Sequence, residues 1–213
     1  MMRKVGLLGG TFDPVHNGHL HLARVAREYC VLDEVWFQPA VIPPHKDDET
    51  LTSFAHRAQM IELALFDYPE FQLSRVEAGL PVPSYTIDTL NYLQEQQGKS
   101  TEFYFIIGAD AFLEIQTWKS CDQVLSAVHW IVCGRGQLIQ DQIRTLAQKL
   151  SYEDLGRDLY DPRTERMIFL PSDVPPDISS SLIRQRLASR QSVQGLIPPR
   201  VHTYLCEQHL FGC

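Results

Sequence analysis

Apolar runs alternate with amphipathic stretches along this chain. Val5 to Leu8 predicts a first strand, and a helix follows from about Gly18 to Cys30, with Leu20 and Ala23 on helical spacing. Glu34 to Gln38 reads as a second strand. The proline-bearing segment Pro39 to Thr52 is longer than most connections, which points to ligand contact. Ser53 to Phe66 predicts a helix capped by Ser53, and Phe71 to Val76 a strand. A loop from Gly79 to Pro83 leads into a helix from Tyr85 to about Gln97. Two strongly apolar strands are predicted at Glu102 to Ile107 and Val128 to Cys133. Ile139 to Leu150 reads as a helix, Met167 to Leu170 as the last strand, and Ser179 to Ala188 and Pro199 to His209 as terminal helices. The polar stretch Ser151 to Arg166 carries no regular period.

This order predicts an α/β fold: one doubly wound, Rossmann-like parallel sheet with helices on both faces, in a single domain spanning residues 1–213. Phe103-Tyr104-Phe105-Ile106-Ile107 is apolar throughout, as a strand covered on both faces requires. In such sheets ligands bind beyond the carboxyl ends of the strands. That rule selects Gly9 to His19, Pro39 to Lys46, Gly108 to Asp110, Gly134 to Gln137 and Pro171 to Arg184.

Composition narrows the picture. The 213 residues are 44% hydrophobic and 21% charged, ordinary for a globular protein. The apolar run at the N-terminus breaks at Gly9-Gly10, too short for a signal peptide, and no membrane span or membrane partner is expected. A cytoplasmic location follows as the expectation. A net charge of -7 disfavours nucleic acid as a partner, while local donors still suit a small anion. Cys30, Cys121, Cys133, Cys206 and Cys213 are odd in number and lack CxxC spacing. They predict neither a disulfide framework nor a zinc knuckle; most should be buried, with Cys213 exposed.

Two constellations carry chemistry. In Gly9-Gly10-Thr11-Phe12-Asp13-Pro14-Val15-His16-Asn17-Gly18-His19, paired glycines let the backbone turn at a strand end and approach a ligand. His16 and His19 are three residues apart around a helix start, so they share a face and the positive end of the helix dipole. Neither a dinucleotide nor a P-loop glycine pattern is present. HxxH without a further ligand is weak as a metal site, and no metal ligands are assigned. Far along the chain, Asp177-Ile178-Ser179-Ser180-Ser181-Leu182-Ile183-Arg184 puts capping serines at a helix start. Arg184 lies one turn beyond Ser180, a second anion-compatible terminus.

These strings resemble the two signatures of the class I nucleotidylyltransferase superfamily. His16-Asn17-Gly18-His19 matches HxGH, and Ile178 to Arg184 resembles ISSTxxR, with Ser181 in place of threonine. GGTFDPVHNGH is most similar to the bacterial nicotinate-mononucleotide adenylyltransferase branch. The resemblance implies that His16 and His19 contact the ATP phosphates and that Arg184 grips the β/γ end. Gly9, Gly10, Thr11, Phe12, Gly18, Gly108, Asp110, Ser179, Ser180 and Ser181 would complete the ATP site. Ser84-Tyr85-Thr86 resembles a turn that receives the nicotinate carboxylate, and Gly108-Ala109-Asp110 an element that meets ribose hydroxyls. Trp118 would stack on the pyridine ring. Lys46 and Arg135 would face the acceptor. Arg135 stands alone where the family often has two arginines, and Lys119 replaces a frequent aromatic. The implied reaction joins ATP and nicotinate mononucleotide into deamido-NAD and pyrophosphate, with Mg²⁺ bound mainly through the ATP phosphates, in a monomer or homodimer. The rivals are the same transfer to phosphopantetheine and a non-enzymatic nucleotide-binding module.

Overall fold

The computed structural model describes residues 2–43, 51–134, 136–173 and 176–213. Its centre is an eight-stranded sheet in the order β3-β2-β1-β4-β5-β8-β7-β6, formed by β1 (Arg3–Gly10), β2 (Glu34–Pro39), β3 (Phe71–Leu73), β4 (Thr101–Gly108), β5 (His129–Cys133), β6 (Glu153–Asp154), β7 (Leu159–Asp161) and β8 (Arg166–Phe169). The first six strands of that order are parallel, and β7 and β6 extend the edge antiparallel. The chain runs outward from β1 through β2 to β3, then returns to pair β4 on the other side of β1. The strand order reverses there, which opens a crevice at the carboxyl ends of β1 and β4.

Alternate residues of the central strands fill different cores. Leu7, Phe103, Phe105, Ile107 and Trp130 face one layer. It is covered by α3 (Thr86–Gln97), α4 (Ala109–Leu113), α5 (Cys121–Ala127) and α6 (Gly136–Lys149), which bring in Leu90, Phe112, Val124 and Ile143. Leu8, Tyr104 and Ile106 face the other. Covering that face are α1 (Asn17–Cys30), α2 (Phe54–Leu65), α7 (Ser180–Ala188) and α8 (Pro199–Glu207), which contribute Ala23, Ile61, Ile183 and Leu205. The N- and C-terminal helices thus share one face of the sheet.

Three expectations need correction. The strand predicted to reach Val76 stops at Leu73 and gives way to a 3-10 turn, Val76–Gly79, that buries Glu77. Ser151 to Arg166 is not wholly irregular: it holds β6 and β7, too short to leave a hydropathy pattern. Arg144 fastens this edge by donating to Asp154 Oδ1 at 2.6 Å and to the Gly156 carbonyl at 2.8 Å. Finally, Cys206 and Cys213 form a disulfide, and Cys213 is half-buried rather than exposed; Cys30 and Cys133 are buried as expected.

Ile183 is fully buried and anchors α7, the helix that begins at the crevice. Ile183→Ala should cost about 2–5 kcal/mol by denaturant unfolding. Leu138→Ala, at a side chain 72% exposed, should stay within about 0.5 kcal/mol. Equal losses would contradict this placement of α7.

Candidate active site

β1 ends in Gly9-Gly10, and the chain then turns through Phe12, whose φ of 54° is left-handed. That conformation costs a non-glycine residue roughly 1–2 kcal/mol. Its buried ring is held between His19, centroid 4.8 Å away, and Phe37, at 5.6 Å. The turn delivers His16 to the N-cap of α1. The His16 and His19 rings stack, with centroids 3.6 Å apart. The His16 backbone N–H donates to His19 Nδ1 at 3.2 Å. A neutral His19 ring accepting there carries its proton on Nε2, leaving that nitrogen a donor. Gly18 completes the arrangement, because a Cβ at this position would lie 3.0 Å from His16 Nδ1.

The C-terminal motif arrives at the same place. Ser180 Oγ donates to the Pro14 carbonyl at 2.9 Å, and Arg184 Nη1 donates to the Asp13 carbonyl at 2.7 Å. Ser179 Oγ accepts from Leu182 N–H at 3.2 Å as the cap of α7, and Ser181 Oγ accepts from Arg184 Nη2 at 3.4 Å. Because Ser179 and Ser181 accept in these bonds, each keeps a hydroxyl hydrogen to donate elsewhere. The hydrogen of Ser180 is committed to the loop.

A cavity of about 610 Å³ lies between the two motifs, lined by Thr11, Phe12, His16, Gly18 and His19 from the first. Ser179, Ser180 and Ser181 line it from the second, and Gly108 and Asp110 from the end of β4. Arg184 does not line it but braces its wall through Asp13. Gly9 and Gly10 line a neighbouring cavity of about 300 Å³, which meets the first at Thr11. There they face Ser84, Thr86, Phe105 and Trp118. A further recess of about 210 Å³ continues along Ser84, Tyr85, Thr86 and Trp118 to Lys119. Trp118 is half-buried, edge-on to Phe105 at 6.1 Å, while Lys119 pairs with Asp88 at 2.9 Å and sits over the Tyr85 ring. Lys46 and Arg135 lie outside the described residues.

Two residues escaped the sequence reading. Arg57, on α2, is 1% exposed. It donates to the carbonyls of Thr52, Thr11, Ala40 and Val41 at 2.8, 2.9, 2.6 and 2.8 Å. It thereby ties the first turn to the loop after β2. The only signal was an arginine amid the small and apolar positions of a helix, which is not specific. Glu77 lines the smaller cavity, accepts from Thr89 Oγ1 at 3.1 Å, and has its carboxyl pushed up by burial. No motif marks it.

Burial also sets the state of the histidines. It lowers His16 from the ordinary 6.5 to about 4. His19 falls well below its ordinary value through desolvation and then through the neighbouring His16. Both are neutral donors at pH 7 when no anion is present.

The residues matched by the cytidylyltransferase-like family run from 7 to 186, and the chain belongs to that family. Its relatives include a probable nicotinate-nucleotide adenylyltransferase of Pelobacter propionicus, 39% identical over 98% of both chains. The nicotinate-nucleotide adenylyltransferase of Bacillus subtilis is 36% identical over 99% of both. The fold is similar to that of the Plasmodium falciparum nicotinic acid mononucleotide adenylyltransferase complexed with NaAD. That likeness has a TM-score of 0.74 at 20% identity, over 98% of this chain and 97% of that one.

Two outcomes test this geometry. The unfolded chain takes up protons at its histidines near 6.5, whereas folded His16 resists them to about 4. The stability that comes from neutral His16 is therefore complete above about pH 6.5 and lost as pH falls toward 4, by about 3 kcal/mol. Urea unfolding of His16→Asn should show a shallower loss between pH 7 and 4.5 than the parent; parallel curves would contradict the burial. Separately, Arg57→Met strips several buried carbonyls of their donor and should cost about 3 kcal/mol or more. A loss under about 0.5 kcal/mol would show that those loops are held otherwise.

Proposed function

We propose that this protein transfers the adenylyl group of ATP to nicotinate mononucleotide, forming deamido-NAD and pyrophosphate, a step of NAD biosynthesis. The observation that carries this reading is the pair of joined cavities. One is walled by the starts of two helices and a stacked histidine pair; the other ends at a tryptophan and the turn Ser84-Tyr85-Thr86. The relatives' names agree with it.

An acceptor phosphate is mostly doubly ionised at pH 7, its second pKa being about 6, so the nucleophile needs no general base. One of its oxygens attacks the α-phosphorus of ATP, and the α–β bridging bond breaks to release pyrophosphate. The protein's task is to hold two polyanions in line and stabilise charge on the α-phosphoryl oxygens. His19 offers the Nε2 hydrogen, and His16 adds a second imidazole beside it. A phosphate oxygen against these rings raises their pKa values and draws protons onto them. Ser179 and Ser181 hydroxyls and the start of α7 receive the β- and γ-phosphates, with Arg184 holding that wall. Gly108 and Asp110 take the adenosine side, with Asp110 also within reach of ribose hydroxyls. Trp118 provides a flat face for the pyridine ring, and Ser84, Tyr85 and Thr86 start a helix suited to its carboxylate. We assign Lys46 and Arg135 to the acceptor phosphate from their sequence positions.

Mg²⁺ would be held mainly by the triphosphate, in a cavity whose wall carries the hard carboxylate oxygens of Asp110 and Asp177. When bound, it neutralises charge on the leaving pyrophosphate. Among the described residues no helix is long and apolar enough to cross a membrane. We place the enzyme in the cytoplasm, as a monomer or homodimer.

Incubation with Mg-ATP and a panel of nicotinate mononucleotide, nicotinamide mononucleotide and phosphopantetheine, following pyrophosphate, tests the reading. Deamido-NAD should form fastest, and release with phosphopantetheine alone would overturn it. His19→Ala should lower turnover about 100- to 1000-fold with the far-ultraviolet spectrum unchanged. Full turnover would remove His19 from the mechanism.

A further inference from the structure

Away from both cavities, one cluster of metal-binding side chains has no part in adenylyl transfer. His202 and Cys206 are one turn apart on α8 and share a face. The chain beyond α8 doubles back through His209, at φ 53°, and a 3-10 turn, Leu210–Gly212, with Phe211 at φ 58° and Gly212 at φ 83°. Gly212 is required, since a Cβ there would come within 3.3 Å of Ala188 Cα at the end of α7. Leu210 and Phe211 pack on the core, and Cys213 N–H donates to the Leu210 carbonyl at 3.1 Å. This brings the Cys213 sulfur to Cys206. Nε2 of His202 is 3.8 Å from Cys206 Sγ and 4.0 Å from Cys213 Sγ.

We propose that the reduced pair, with His202, forms a Zn²⁺ site on the C-terminal turn. Two thiolates and an imidazole are the donor chemistry zinc prefers. Bond lengths of about 2.3 Å to sulfur and about 2.0 Å to nitrogen put neighbouring tetrahedral ligands roughly 3.5–3.8 Å apart. The His202 to sulfur distances need to close by only a few tenths of an ångström. A dithiol reductant transfers two electrons and two protons to the Cys206–Cys213 disulfide and is itself oxidised to a disulfide. Zn²⁺ then displaces the proton of each thiol, and water fills the fourth position. Cys/His clusters in a reducing compartment favour metal over disulfide. A bound ion would fasten the last turn to α8, where Gly212 lies against the end of α7, the helix whose other end borders the large cavity.

The full chain, reduced with a dithiol and desalted without oxygen, is titrated with Co²⁺ as a spectroscopic probe and then with Zn²⁺. One equivalent of Co²⁺ should give tetrahedral thiolate absorption that Zn²⁺ bleaches. His202→Ala should weaken binding about tenfold or more. Cys206→Ser/Cys213→Ser should abolish the spectrum while leaving metal-free folding and adenylyl transfer unchanged. Zn²⁺ should also raise the melting temperature of the reduced parent by several degrees and leave the double variant unmoved. The proposal fails if the reduced parent gives no tetrahedral spectrum, or if the double variant keeps it, which would put the metal on Cys30, Cys121 or Cys133.

Discussion

The site exists because a loop near the start of the chain is fastened to segments 166 to 179 residues further on. Pro14 has no N–H, and its carbonyl needs a donor where the loop is buried; the Ser180 hydroxyl supplies one, and Arg184 serves the adjacent Asp13 carbonyl. On the other flank, Asn17 bonds through its backbone to the Leu196 carbonyl at 2.9 Å and through its side chain to the Gly195 carbonyl at 2.8 Å. The start of α1 is thus held on both sides by C-terminal chain. Ser180 and Arg184 of the motif therefore have a structural duty, visible without any ligand. Ser180 spends its only hydroxyl proton on the loop, which leaves its backbone N–H as the donor it could offer an anion.

Arg57 imposes a second constraint, this time between the two cavities. A buried guanidinium is tolerable only with its hydrogens satisfied, and here they fall on carbonyls from three separate segments. Thr11, which borders both cavities, is one of them. The relative position of the two cavities is consequently set by one planar group on α2. In-line transfer is sensitive to errors on the order of 1 Å, so a rigid fork is better suited to this place than a flexible ammonium.

Much of this was legible in the sequence because it rests on local rules. The apolar run of Phe103 to Ile107 identified a strand covered on both faces. Gly18 was read only as part of the ATP site; that a side chain there would meet the His16 ring emerges from the fold. Ser53 does cap α2, through His56 N–H at 3.3 Å. What escaped depends on long-range contact. Arg57 looks like any helical arginine until the loops fold over it. The edge strands β6 and β7 have two and three residues, too few for a period of two to register. The Cys206–Cys213 pairing needs a reversal through three left-handed residues, His209, Phe211 and Gly212, two of them not glycine, and spacing alone does not announce it. Arg184 also braces the wall of the large cavity, a structural contact that only its partner atom at Asp13 reveals.

The electrostatic design follows from a conflict. The chain carries a net charge of -7, yet its cavities suit polyanions. Fixed buried cations would resolve this at a heavy desolvation cost whenever the site stood empty. Histidines whose pKa values burial lowers are uncharged in that state and so incur little of it. In the proposed reaction, phosphate oxygens against the rings would stabilise the charged form and draw protons onto them. The starts of α1 and α7 contribute partial positive charge that needs no proton at all. In that reading the attraction around the histidines comes from dipoles and from charge that the ligand itself induces, beside the fixed cations Lys46 and Arg135 assigned to the acceptor phosphate.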